Sequence, residues 1–142
     1  MSGAGAALLA LTGLLALSGC GDAEPALSAE LSRYTDPGDG CQQAVSAIAY
    51  ADASLKAAGQ ERYQDWDDET RSKVATVGGT IALEVKDFPS EDALHQAREV
   101  ARLAREAAAK DTGAEDRVQL LREYRREAAE LVIVCGREVA DL

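Results

Sequence analysis

From residue 39 onward, apolar side chains recur at the three- and four-residue spacing of helices that bury one face. The first such face carries Cys41, Val45, Ile48, Asp52 and Leu55. Asp39 stands just before it with Gln42 three positions on, so the Asp39 carboxylate can accept from early backbone amides while Gln42 reaches back. Gly59 suits a left-handed stop, and the first helix is expected to run towards it. The polar connection Gln60-Glu61-Arg62-Tyr63-Gln64-Asp65-Trp66 follows, after which Asp67, Asp68 and Glu69 place negative charge where a helix N-terminus favours it.

The next segment admits two readings. As a helix, Thr70, Val74, Val77, Ile81, Val85 and Phe88 form one stripe that Pro89 ends. As strands, residues 73–77 and 80–85 flank Gly78-Gly79, a two-residue hairpin turn, with Lys73 opposite Glu84. Two glycines inside a helix cost about 2 kcal/mol relative to alanine. A lone two-stranded hairpin is marginal, however, and the rest of the chain offers no strand to join it. The helix is therefore favoured, with Gly78 and Gly79 marking a close helix crossing or a kink.

Ser90 caps a third helix with Glu91 and Asp92 in its first turn, and Leu94, Ala97, Val100, Ala101, Ala104 and Ala108 lie on its inner face. Arg102 with Glu106, and Glu106 with Lys110, are four-residue pairs of opposite charge. Thr112 and Glu115 resemble a second capping box. The fourth helix carries Val118, Leu121, Tyr124, Ala128, Leu131, Cys135 and Val139 on one side; its roughly 27 residues would span about 40 Å. Four helical segments with short connections predict an all-α, antiparallel up-down-up-down four-helix bundle over residues 39–142.

Ahead of the bundle, residues 4–17 are almost all Ala, Leu or Gly with one Thr, too short a run for a spanning helix and of signal-peptide length. It ends in Leu17-Ser18-Gly19-Cys20, which resembles the lipobox of bacterial lipoproteins: Leu, a small residue, Gly or Ala, then Cys. That resemblance covers the first 20 residues alone. It implies that residues 1–19 are a signal peptide removed by cleavage, that Cys20 carries a thioether-linked diacylglycerol, and that the mature chain is held to the membrane outside the cytoplasm. Residues 1–3 carry no Lys or Arg, so the positive charge usual in such leaders rests with the amino terminus or with residues upstream. Residues 20–38 are polar, rich in small residues and contain Pro25, Pro37 and Gly38, which makes them a flexible linker with a reach of about 25 Å.

Assigning Cys20 to lipid changes the cysteine arithmetic. Of three cysteines, Cys41 and Cys135 remain, one at the start of the first helix and one near the end of the last. An up-down-up-down bundle brings those places together, and an even pair outside the cytoplasm is expected to oxidise. The formal charge of −10 lies entirely after Cys20 and argues against nucleic-acid binding. One Trp, four Tyr and one Phe supply little aromatic bulk, so the expected core is thin.

The candidate chemistry is sparse. His95 has Glu91 and Glu99 one turn away on either side, but di-iron bundles need two Glu-x-x-His units from different helices, so no metal or other cofactor is expected. Asp65, Asp67, Asp68 and Glu69 lack the central glycine and alternating ligands of a calcium loop and read as helix-start charges. Arg98, Arg102 and Arg105, then Arg122, Arg125 and Arg126, are interleaved with glutamates and read as mixed-charge faces, with docking of an acidic partner as the alternative. No catalytic constellation is recognisable. Tyr63 and Trp66 stand out because they sit in a connection; they either fold back over the end of the bundle or serve as aromatic anchors for a partner. The expected role is a non-enzymatic module that binds another protein or an envelope component, with a carrier of a small apolar ligand between helices near Gly78 and Gly79 as the alternative.

Overall fold

The computed structural model describes residues 39–140, with side chains through residue 137; the leader, lipobox and linker of residues 1–38 lie outside the described residues. Four α-helices follow one another: α1 (Gly40–Asp52), α2 (Asp68–Leu83), α3 (Glu91–Ala108) and α4 (Ala114–Ala140), with a short 3-10 turn, Glu61–Tyr63, between α1 and α2. No strand occurs among the described residues, so residues 73–85 take the helical reading rather than the hairpin.

Each helix packs against its neighbours in sequence, and α4 returns to α1. The antiparallel order is visible at the ends. Gly40 N–H at the start of α1 donates to Asp87 O just past α2 (2.8 Å), and Arg117 at the start of α4 donates to Ala107 O and Ala109 O at the end of α3. Cys41 and Cys135 form a disulfide with Cα atoms 5.5 Å apart, joining the first turn of α1 to the last part of α4. The core between the helices is built mostly of Ala and Val, with Ile48, Ile81, Leu103, Leu121, Leu131 and Tyr124 as its bulk. Small side chains let the helix axes come close, and dispersion over many short contacts replaces the few large ones of an aromatic core.

Three predicted helix starts correspond to observed caps. Asp39 accepts from Cys41 N–H (3.0 Å) and Gln42 N–H (3.3 Å), Asp67 from Thr70 N–H (2.7 Å), and Ser90 from Ala93 N–H (3.1 Å). Three other expectations need correction. First, α1 ends at Asp52, well before Gly59, and its buried face is Cys41, Ala44, Ala47, Ile48 and Ala51 rather than the stripe through Asp52. That face is turned because α1 must meet both α2 and α4, and alanines serve where two helices press on one. Gly59 does take positive φ, +88°, but inside the connection.

Second, α2 stops at Leu83, so Val85 and Phe88 do not extend its stripe. The chain turns there because Phe88 and the Asp87 carbonyl sit against Gly40; a Cβ on Gly40 would lie 2.9 Å from the Phe88 ring. Third, Thr112 does not cap α4. Its hydroxyl donates to Glu106 O (2.6 Å), closing the end of α3 instead. The inner face of α3 is also wider than its stripe, adding Ala93, Leu103 and Ala107, because α3 packs on α2 and α4 at once.

Of the two mid-helix glycines, Gly78 alone marks a close crossing. A Cβ there would lie 2.7 Å from Arg105 Cγ and 3.2 Å from Ala101 O of α3, whereas one on Gly79 meets nothing within 4 Å.

Candidate functional site

The two aromatics of the α1–α2 connection part company. Trp66 is half-buried against the core, and the Arg117 guanidinium lies 5.2 Å from its ring centroid in a cation–π arrangement. Arg117 is only 8% exposed and spends its hydrogen bonds on the carbonyls at the end of α3, Nε to Ala107 O (3.0 Å) and Nη2 to Ala109 O (2.7 Å). Burial, reinforced by the neighbouring Arg71 charge, lowers its pKa. Trp66 therefore covers one end of the bundle. Tyr63, three residues earlier, is 73% exposed.

What lies beneath Tyr63 is a braced loop. Glu61 is 4% exposed, and its Oε1 accepts from Gly59 N–H (2.9 Å) and Arg125 Nη1 (2.6 Å). Arg125 also donates through Nη2 to Lys56 O, so one α4 side chain ties down two points of the loop. The Gly59 and Glu61 backbone amides, then Arg125, hold the Glu61 carboxyl down at about 2. Its second oxygen, Oε2, has no hydrogen-bond partner among the described residues and faces Arg122 Nε at 3.6 Å. Gln64 closes the other side: its Oε1 accepts from Lys56 N–H (2.6 Å), and its Nε2 donates to Ser54 O (3.2 Å) and Asp65 O (2.9 Å). Side chains thus satisfy the backbone of a connection that has almost no regular structure, which is the condition for a loop to hold one shape.

Beside this loop an open cleft of about 290 Å³ is lined by Arg62, Ala114, Glu115, Val118, Gln119 and Arg122. Arg62 and Arg122 line it together with Glu115, so its wall carries charges of both signs. An aromatic ring held out on a braced loop, next to two guanidinium groups, can do little as a reagent. It can bind. Immobilising the loop in advance lowers the entropy lost when a partner docks on it.

The remaining candidates resolve into structural roles. Arg102 bridges Glu99 and Glu106, Arg126 pairs with Glu127, and the Arg105 stem fills the space over Gly78. Asp67 is the α2 cap, and Glu69 pairs with Lys73 at 2.6 Å. His95 is exposed, and no group of three or more His, Cys, Asp or Glu among the described residues is placed to hold a metal ion. No described helix is long and apolar enough to cross a membrane. Cys20 lies outside the described residues.

Sequence reasoning marked Tyr63 and Trp66 but missed Glu61 and the special part of Arg125, which are 64 residues apart. The available signal was slight: Arg125 sits next to Tyr124, on the flank of the α4 core stripe. Fold and site together define a disulfide-clasped, all-helical bundle whose α1–α2 connection presents a single aromatic. No protein-family model, curated protein or solved structure matches this chain.

Proposed function

We propose that the protein is a non-enzymatic binding module, anchored outside the cytoplasm by lipid on Cys20, that engages another protein or an envelope component through the face around Tyr63. The observation that carries this reading is the exposure of Tyr63, 73%, on a loop fastened by Glu61, Arg125 and Gln64. Tyr and Arg are among the side chains enriched at binding hot spots. The lipobox supports the anchor, and the loop lies at the end of the bundle opposite Asp39, where the linker joins.

Photo-crosslinking in intact cells tests the proposal directly. A benzophenone amino acid placed at position 63 is expected to give one discrete adduct, which the same reagent at exposed Ala82 does not give. A chain that is membrane-held and folded yet gives no adduct from position 63 removes the Tyr63 reading. Release of the chain from membranes by Cys20→Ser tests the anchor separately.

A second reading, a carrier of a small apolar ligand, finds apolar walls in a groove between α1 and α4 rather than at Gly78, where Arg105 already occupies the space. Native mass spectrometry of the detergent-extracted chain would reveal such a ligand as a bound mass.

A further inference from the structure

The last two turns of α4 reach past its neighbour α3. Gln96 Nε2 donates to Glu127 O (3.0 Å), which fixes the register of the two antiparallel helices. Counted back from that pair, Glu91, the first residue of α3, falls level with Val132, whereas α4 continues to Ala140. Residues 133–140, about 12 Å of helix, therefore have no turn of α3 alongside them. On the other side α4 meets α1 more sparsely than the other neighbouring helices meet. Past Leu131, Cys135 is the one buried side chain of α4 through residue 137: Val132, Ile133, Gly136 and Arg137 are exposed and Val134 is half-buried.

Local sequence gives this overhang little helical stability of its own. Val132, Ile133 and Val134 are consecutive β-branched residues, whose side chains lose freedom in a helix, and Gly136 follows. A Cβ at position 136 would meet nothing within 4 Å, so no packing calls for the glycine. Residues 119–131, by contrast, are all Gln, Leu, Arg, Glu or Ala apart from Tyr124, which are strong helix formers. The other end of the disulfide is seated independently, because Asp39 accepts from Cys41 N–H and Gln42 N–H, and Gly40 N–H donates to Asp87 O. The disulfide thus joins a firmly held turn of α1 to a helix end that little else holds.

We propose that Cys41–Cys135 is a redox latch: reduction by a dithiol releases residues 133–140 of α4 and leaves the rest of the bundle folded. Both cysteines line the groove between α1 and α4, about 270 Å³ and open on one side, which gives a thiolate its approach. The thiolate of the dithiol attacks one sulfur, forms a mixed disulfide and expels the other cysteine as a thiolate. The second thiol of the dithiol then closes a disulfide within the reagent and frees the first cysteine. Two electrons pass from the dithiol to the Cys41–Cys135 bond, and its two protons end on the two cysteines. With the cross-link gone, α4 frays back to Leu131, which is fully buried and halts the opening. The surface uncovered is the start of α1, with Cys41 and Val45.

Hydrogen exchange of the full chain in detergent, read by mass spectrometry with and without dithiothreitol, is the test. Alkylation of the reduced chain, without denaturant, should find thiols at Cys41 and Cys135. Amides of residues 133–140 are then expected to exchange at least about tenfold faster, while those of 74–81 in α2 and 97–104 in α3 stay within about twofold. Cys41→Ala combined with Cys135→Ala, measured without reductant, should show the same pattern. Gly136→Ala should slow exchange of the overhang in the reduced chain by about fourfold, since it adds helix propensity and touches nothing. A disulfide that dithiothreitol opens only in urea would overturn the proposal, because the groove then admits no thiolate. Exchange that rises equally in all four helices would make the disulfide a clasp on the whole fold, and unchanged exchange of 133–140 would mean that packing alone holds the helix end; either result overturns the latch. None of these outcomes depends on whether position 63 yields a crosslink.

Discussion

Substituting alanine at Gly78 and, separately, at Gly79 should move stability in opposite directions, although the two positions are adjacent in α2. Both glycines lie in the helix interior, where Gly is worse than Ala by about 0.5–1 kcal/mol through the extra freedom it has in the unfolded chain. At Gly79 that gain comes unopposed, because a new Cβ has no neighbour within 4 Å. Gly79→Ala should therefore stabilise by about 0.5–1 kcal/mol, which raises Tm by about 2–8 °C for a domain of this size. At Gly78 the new Cβ would lie 2.7 Å from Arg105 Cγ, 3.3 Å from Arg105 Cδ and 3.2 Å from Ala101 O. The Arg105 stem must swing away near its root, and the Ala101 carbonyl belongs to helix backbone that cannot shift alone. Overpacking of this kind costs about 1–3 kcal/mol, which exceeds the propensity gain and leaves Gly78→Ala destabilising by about 0–2 kcal/mol. Urea melts of both variants, alone and with Arg105→Ala, decide the matter. Arg105→Ala removes the nearest obstacle and should recover about 1 kcal/mol of the Gly78→Ala loss, while leaving the Gly79→Ala effect unchanged. Equal stabilisation by the two alanines, or no coupling to Arg105, would falsify the close α2–α3 crossing at Gly78.

Three further predictions follow from the same packing. Replacing Cys41 and Cys135 together by alanine removes a cross-link spanning 94 positions, worth about 4.7 kcal/mol in the chain-entropy model; denaturant melts should show a loss of about 2–5 kcal/mol, and a loss below about 1 kcal/mol would mean that the reduced chain stays clasped by other contacts. The Glu61 carboxyl is held at about 2 in the folded chain against an ordinary value of 4.5, so its stabilising effect is complete above the ordinary value and disappears as pH falls through about 2. Hydrogen exchange at the Lys56, Gly59 and Gln64 amides should accordingly accelerate across that window after correction for intrinsic rates, and Glu61→Gln should accelerate it by about tenfold or more already at neutral pH; unchanged protection would show that Arg125 does not hold the loop. The Tyr124 ring is fully buried and its hydroxyl has no hydrogen-bond partner among the described residues, while burial and the Asp52 charge push its pKa up. Tyr124→Phe is therefore expected to be neutral or to stabilise by up to about 1 kcal/mol, and a loss larger than that would reveal a partner for the hydroxyl.

Much of the bundle is legible residue by residue because its helices are set by local rules. Asp39, Asp67 and Ser90 cap the helices they precede, since capping needs only a short polar side chain and the amides two or three residues on. The core stripe of α4 is right at Leu121, Tyr124, Ala128, Leu131 and Cys135, because α4 is long enough for its periodicity to dominate. Where the reading fails, a distant residue intervenes. Phe88 leaves the α2 stripe to sit on Gly40, and Thr112 turns back to Glu106 although its spacing to Glu115 suits a forward cap. The α1 face rotates onto alanines that no hydrophobic count would rank above Val45 or Leu55, because closeness to two neighbouring helices rewards small side chains over large ones.

The candidate site divides along the same line. By itself the sequence determines four helices, their order and the caps at Asp39 and Ser90, each from spacing along one helix, and the pairing of Cys41 with Cys135 follows from the order of the bundle once the lipobox resemblance sets Cys20 aside. It also singles out Tyr63 and Trp66 as aromatics outside the periodic stripes. Only the tertiary structure decides that Trp66 closes the bundle under Arg117 while Tyr63 stands in solvent, and that the α1–α4 seam stays open over the disulfide. The reason is that exposure belongs to pairs of elements. A ring three residues from another shares its local sequence but not its neighbours, and Arg117 and Arg125 reach the connection from α4, across most of the folded chain.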